Sequence, residues 1–528
     1  MKVKLYVFLI ISYLEIFSQS ILIDDFEKLR DWKIIKSDGV EANISLVNGK
    51  KGNAIKYEFD FTKGTGYGGF QRFYSLSVPE NFQFTFYLRG SSPNNNFEIK
   101  FLDQSGENVW WMNNRDFKFS PIWQKFTVKK RHIDFAWGPI ENKLLKKIDR
   151  IEFTISSFNG GKGWIEIDEL EFQELPEVIY STEEPKCSAL SEFEESFAVK
   201  NIFEENSKGW LSKKNLHEEI VMDFQQVREI GGFVINWDKI NYPKKIEIYF
   251  SNDKNEWEKV YSVENYYGNR TYVRLLNKEA RYVSLRFFNS PTKFFGIKNL
   301  RILKPSESEN LNNFFINIAK DFPRGYYPRY FYKEKSYWNI IGVNGDEKEA
   351  LINEDGMIEI DKKQFSIEPF LQIDSNFYTW DNVKIEQQLE KKYLPVPIVK
   401  WEKDNFHLEI KTFASGKEND SSAIYIIYKL ANNTKFLEKG SLFLLVRPFQ
   451  VNPYYQWLNI QGGVTEINSI EIGENIIKVN DNKYIHSLSK YDDAYAMKFN
   501  DGNIIEAIKT SQLNKNKNIS DSMNLASA

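Results

Sequence analysis

The chain has 528 residues, enough for three to four domains at ~150 residues each. Its 70 Lys and Arg nearly balance 73 Asp and Glu, for a net charge of -3, which excludes the basic footprint of a nucleic-acid binder and a polybasic membrane arm. With 42% apolar and 16% aromatic residues the chain can bury several cores, while its single cysteine, Cys187, excludes an intramolecular disulfide framework and a multi-cysteine zinc ribbon.

The N-terminus has the pattern of an export signal. Lys2 and Lys4 precede an apolar run from Leu5 to Ile11, and Ser18 and Ser20 are the small residues ahead of a cut before Ile21. Glu15 departs from the pattern, and a frayed strand or an uncleaved anchor is the alternative reading. The run is too short for a bilayer, which takes ~20 apolar residues. Residues 1–20 are therefore expected to be a signal peptide. The mature chain is expected to be secreted or periplasmic, with no membrane span.

Period-two alternation then sets the fold class. Phe82, Phe84, Phe86 and Leu88 alternate with Gln83, Thr85 and Tyr87, and Phe97, Ile99 and Phe101 alternate with Glu98 and Lys100. Each pattern is a strand with one buried face. The same grammar recurs at 151–155, 164–172, 246–250, 281–287 and 424–428. Only 308–320 has helical spacing, at Leu311, Phe314, Phe315 and Ile318. The expected class is mainly β: three tandem β-sandwich or jelly-roll domains with few helices. Polar, proline-containing stretches at 176–190 and 304–310 mark the boundaries, giving blocks 21–175, 186–303 and 311–510. Residues 511–528 read as a disordered tail. This polar ending follows the strand-like Ile504–Ile508 and suggests a chain cut short.

The first block opens Ile23-Asp24-Asp25-Phe26-Glu27 and closes Trp164-Ile165-Glu166-Ile167-Asp168-Glu169-Leu170-Glu171-Phe172. It resembles the family-11-like carbohydrate-binding modules of the galactose-binding-like jelly-roll fold. That resemblance implies a structural calcium near the first and last strands, with Asp25, Glu27 and Asp168 as its candidate ligands. Calcium takes six to eight hard oxygens, which suits carboxylates. Surface acids at a strand end are the alternative.

Sugar binding calls for flat aromatic faces beside polar groups, because sugar rings present apolar C–H faces and hydroxyl edges. Trp110 and Trp111 are adjacent, so on a strand they point to opposite faces and one of them enters the core. Arg115, in Asn113-Asn114-Arg115-Asp116, adds a polar group nearby. Trp137 and Tyr67, the latter in a glycine-rich loop, complete the candidate carbohydrate-binding set. The glycine loop is not GxGxxG and opens no helix, so it does not read as a phosphate site.

The second block places Trp210 before Ile220-Val221-Met222-Asp223-Phe224, then Ile246-Glu247-Ile248-Tyr249-Phe250-Ser251-Asn252-Asp253 and Arg281-Tyr282-Val283-Ser284-Leu285-Arg286. It resembles the discoidin (coagulation factor 5/8 type C) family over 186–303. The family's end-to-end disulfide cannot form with Cys187 alone. Glu204-Glu205-Asn206 departs from the family's acidic turn and puts a calcium site there in doubt. Trp210 reads as core, and Tyr242, Tyr266 and Tyr267 as loop aromatics.

The third block is similar in architecture to the supersandwich domains that precede (α/α)6 barrels in some bacterial glycoside hydrolases. The whole then resembles the front half of such a protein, and the barrel that would carry the acid/base carboxylates is not in this sequence. Glu354, Asp355, Glu368 and Asp381 read as solvated strand-edge acids. His132, His217, His407 and His486 lie far apart and form no HExxH. The expected function is glycan or polysaccharide binding, by an exported protein whose modules lack a catalytic domain. A glycoside hydrolase with its site in 311–510, and an adhesion or scaffold protein, are the alternatives.

Overall fold

The computed structural model describes residues 20–175 and 184–528, apart from 265, 267–268, 404–405, 419, 434–438, 457–459 and 512–514. The export pattern up to residue 19 and Tyr267 lie outside the described residues. The chain divides into two compact units, 1–181 and 182–528.

The first unit contains β1 (Ile21–Asp24), β2 (Lys33–Lys36), β3 (Glu41–Asn48), β4 (Asn53–Asp60), β5 (Tyr67–Ser77), β6 (Phe82–Ser91), β7 (Asn95–Leu102), β8 (Val109–Phe117), β9 (Gln124–Lys129), β10 (Asp134–Trp137), β11 (Lys147–Ser156) and β12 (Lys162–Glu174). They form two antiparallel sheets. One runs β3-β4-β12-β6-β9 with β1 beside β12, and the other runs β10-β8-β7-β11-β5-β2. The apolar faces read from the alternation meet between them: Phe84 of one sheet stacks on Phe101 of the other at 5.0 Å. β1 ends in a clamp. Asp24 accepts hydrogen bonds from the Phe26 amide (2.7 Å) and the Trp32 indole (2.9 Å) and pairs with Arg72.

The second unit opens with another sandwich. One sheet runs Lys186–Ala189, His217–Glu229, Glu279–Phe288, Lys245–Ser251, Glu258–Glu264, and the other Trp210–Leu211, Gly296–Leu303, Gly232–Trp237, Arg270–Arg274. Trp210 is in its core, its indole N–H donating to the Ser191 carbonyl oxygen (3.0 Å). Cys187 packs against the same core, and burial pushes its thiol up to about 12.

The polar stretch 304–310 is folded, not an open linker. Pro305–Ser308 makes one helical turn, capped by Glu307 accepting from the Lys304 amide (2.8 Å). A second helix, Leu311–Ala319, starts at Asn310, whose side chain accepts from the Asn313 amide (2.9 Å). It buries Phe314, Phe315 and Ile318 in a cluster that also takes Val234 and Leu303 from the preceding sandwich. This shared core is why 182–528 forms one unit.

Beyond it, the strands Trp338–Gly342, Glu349–Asn353, Ile358–Glu359, Ser366–Ile373, Asn376–Tyr378 and Gly440–Arg447 form one sheet, and Lys384–Glu390, Leu394–Lys403, Phe406–Gly416 and Ser422–Asn432 another. Ile352, Leu371, Trp401 and Leu408 form the core that both sheets share.

The chain end differs from its sequence reading in two ways. Ile504–Lys509 is a helix whose Ile504, Ile505, Ala507 and Ile508 are buried, not a strand. The described part of 511–528 is ordered, not a free tail: Asn518–Ser520 pairs with Ser469–Ile472, Ile519, Leu525 and Ala526 are buried, and Ala528 exchanges two backbone hydrogen bonds with Val446.

Candidate functional site

In an antiparallel sheet, residues directly opposite one another share a face. The outward row of the second sheet in the first unit runs Asp134 (β10), Trp111 (β8), Lys100 (β7), Glu152 (β11), Gln71 (β5) and Lys33 (β2). The next row holds Asn113, Glu98 and Thr154. Glu98, Lys100, Glu152 and Thr154 are buried although they lie on the face away from the core, so this face is recessed.

Three of the predicted aromatics gather here. Trp111 and Trp137 meet edge-to-face at 5.5 Å. The Lys100 ammonium lies 5.8 Å from the Trp137 ring and 5.2 Å from the Tyr67 ring. Trp137 and Tyr67 remain 49% and 42% exposed, leaving ring surface for a ligand. Trp110 does not belong to this group. It points into the core, 3% exposed, and its indole N–H donates to the Lys143 carbonyl oxygen (2.6 Å). Arg115 follows beyond Asn113 near the end of β8 and is exposed.

The polar floor escaped the sequence reading. The Lys100 ammonium pairs with Glu98 (2.9 Å), and Glu98 also accepts from the Thr154 (3.1 Å) and Ser156 (2.8 Å) hydroxyls. Burial raises the Glu152 carboxyl above the usual range, against the pull of Arg150 and Lys100. Asn113 Oδ1 and Arg150 Nε are buried with no hydrogen-bond partner. The alternation at 97–101 marks Glu98 and Lys100 as outward, yet only the cross-strand register sets them beside Trp111.

The three metal candidates separate. Glu27 and Asp168 converge on the β3–β4 hairpin. Asp168 accepts from the Lys51 (2.9 Å) and Glu169 (2.8 Å) amides, and Glu27 from the Asn53 amide (2.9 Å) and side chain (2.7 Å). The hairpin backbone lies against both carboxylates: a Cβ on Gly49 would come 2.6 Å from Asp168 Oδ2. Burial, with the nearby Glu27 charge, raises the Asp168 carboxyl. Asp25 does not join them. Asp24 turns inward to its clamp, so its neighbour Asp25 faces solvent, accepting only from the Glu27 amide (3.2 Å) among the contacts described. Among the described residues no group of three or more acid, imidazole or thiol side chains is placed to hold a metal.

Of Glu354, Asp355, Glu368 and Asp381 in the third block, only Asp381 is exposed; Glu354 is half-buried, and Asp355 and Glu368 are not solvated strand-edge residues. Asp355 and Glu368 are buried, Asp355 bridged by Arg329 (2.6 Å) and Glu368 held by both ends of the Arg447 guanidinium (3.0 and 2.9 Å). Asp381 pairs with Arg324, and Glu354 lies 3.5 Å from Arg329. In the discoidin-like sandwich Tyr266 is buried, while Tyr242 is half-buried over Lys244. Among the described residues no helix is long and apolar enough to cross a membrane.

Comparison with curated proteins finds no match. Similar solved structures include carbohydrate-binding modules and a putative enzyme by their descriptions. The family 11 carbohydrate-binding module of the cellulosomal cellulase Lic26A-Cel5E of Clostridium thermocellum is 19% identical, over 30% of this chain and 96% of that one, at a TM-score of 0.25. A Clostridium perfringens module in complex with GalNAc-β-1,3-galactose is 20% identical, over 22% and 94%, at 0.21. A putative α-L-fucosidase of Bacteroides thetaiotaomicron is 17% identical, over 23% and 27%, at 0.21. Residues 178–297 match the family model of the F5/8 type C domain. The chain therefore carries an F5/8 type C (discoidin) domain, the sandwich that opens its second unit.

Proposed function

We propose that this is an exported glycan-binding protein whose first unit holds a polysaccharide strand in the recess on the β10-β8-β7-β11-β5-β2 sheet. One observation carries the reading: Tyr67, Trp111 and Trp137 converge on Lys100 above a floor of buried polar side chains. Sugar rings stack by their C–H faces on the aromatics, and their hydroxyls pair with Lys100, Glu152 and the open Asn113 Oδ1. From Asp134 to Lys33 the row crosses six strands, roughly 24 Å at ~4.8 Å per step, which is room for several rings in line. The export part rests on the pattern of residues 1–20 alone.

Affinity electrophoresis against soluble polysaccharides tests the proposal. The wild-type chain is expected to be retarded by at least one, and the Trp111→Ala/Trp137→Ala variant by none. Equal retardation of both would remove the recess from the account.

Calcium belongs to the proposal through Glu27 and Asp168, without Asp25, and would have to displace the amide donors that now hold both carboxylates. Bound there it would neutralise a buried carboxylate and tie the segment after β1 and the middle of β12 to the β3–β4 hairpin. Millimolar calcium is expected to raise the unfolding temperature relative to EDTA in the wild type and not in Asp168→Asn. No shift in the wild type would dismiss the ion.

A further inference from the structure

The second unit contains a cavity of about 300 Å³ where the strand Arg270–Arg274 of the discoidin domain meets the helices Leu311–Ala319 and Ile504–Lys509. That volume is at the lower limit of ligand pockets, sized for one ring rather than an oligosaccharide. Its walls are aromatic, with Tyr272, Phe315, Phe322 and Tyr327 among them. Two side chains of the lining carry a buried polar atom without a hydrogen-bond partner. Tyr261 is only 9% exposed, and its hydroxyl has no hydrogen-bond partner. Asn500 Oδ1 is likewise buried without one. An unpaired buried hydroxyl costs stability unless something that enters the cavity pairs with it.

Two of the wall's cations, Arg447 and Arg270, are already engaged, and Lys239 and Lys498 line it as well. Arg447 is bridged to Glu368, and Arg270 donates to the Asp321 carbonyl oxygen (2.6 Å). A charged ligand would therefore meet no free counter-charge from these two arginines. Aromatic faces combined with unpaired hydroxyl and amide oxygens are the chemistry that receives a neutral, hydroxylated ring.

We infer that this cavity binds a single neutral sugar ring, stacked on the aromatic wall and hydrogen-bonded by Tyr261 and Asn500. The site is separate from the recess of the first unit. Its walls come from both the discoidin domain and the following block, so occupancy ties the two together.

The test uses the full chain carrying Trp111→Ala and Trp137→Ala, which silences the recess. Glucose, galactose, mannose and N-acetylglucosamine are the probes, read by saturation-transfer NMR and thermal unfolding. At least one is expected to bind and to raise the unfolding temperature. Adding Tyr261→Phe, which keeps the ring and removes the hydroxyl, is expected to weaken binding about fivefold, the worth of one neutral hydrogen bond. Ala507→Leu, which fills the cavity from the Ile504–Lys509 helix, is expected to abolish it. Should Ala507→Leu not fold, Tyr261→Phe decides. No binding by any of the four sugars, or binding that Tyr261→Phe leaves unchanged, overturns the inference without touching the recess.

Discussion

Trp110 and Trp111 are one residue apart, and a single step along a strand reverses the side chain. Trp110 fills the core, so Trp110→Ala is expected to cost about 3–5 kcal/mol of stability, measured by denaturant unfolding. Trp111→Ala should leave the unfolding midpoint near wild type. It should weaken glycan binding roughly tenfold or more, the loss of ~1.4 kcal/mol of stacking. The opposite ranking would exchange their roles. Glu152 gives a prediction in pH. Its carboxyl is raised by burial, so the native state keeps a proton that the unfolded chain has lost. Stability from this group is complete below the ordinary glutamate value and is lost as pH rises through the raised one. Glu152→Gln carries no such proton. The variant should match wild type in acid and gain on it at alkaline pH, in thermal unfolding across the series. The sequence shows that Trp110 and Trp111 part, because alternation alone requires it. It does not show that Lys100 stands opposite Trp111, because register depends on partners distant in the chain.

Elements were readable where their period was long. The helix Leu311–Ala319 and the strands at 82–88 and 97–101 lie where spacing places them. Ile504–Lys509 is a helix where the sequence suggests a strand, because so short a stretch, mostly apolar around Glu506, fits either. What selects the helix is Asn503, whose side chain accepts from the Ile505 (2.9 Å) and Glu506 (3.2 Å) amides. The terminal strand leaves little trace in the sequence because few apolar residues mark it. Ile519, Leu525 and Ala526 are nevertheless buried, and each large apolar side chain there is worth roughly 1.5–3 kcal/mol. Deleting 515–528 is therefore expected to lower the unfolding temperature of 182–528 markedly and to speed its proteolysis. An unchanged temperature would mean that this strand adds nothing.

At the scale of the molecule, the sequence divides into three blocks and the structure into two units. The difference lies in the 304–310 turn and in the Phe314–Val234 cluster, a contact between segments that no local pattern announces. The first unit forms its own core, so residues 21–175 alone should bind a glycan with the affinity of the whole chain. A markedly weaker fragment would assign part of the recess to the rest of the chain. The most direct measurement is calorimetric titration of the chain from Ile21 with whichever soluble polysaccharide retards it, beside Trp111→Ala/Trp137→Ala and Tyr67→Ala. The account predicts saturable binding that the double variant abolishes and Tyr67→Ala weakens. Binding unchanged in all three proteins, or no binding to any polysaccharide, would contradict it.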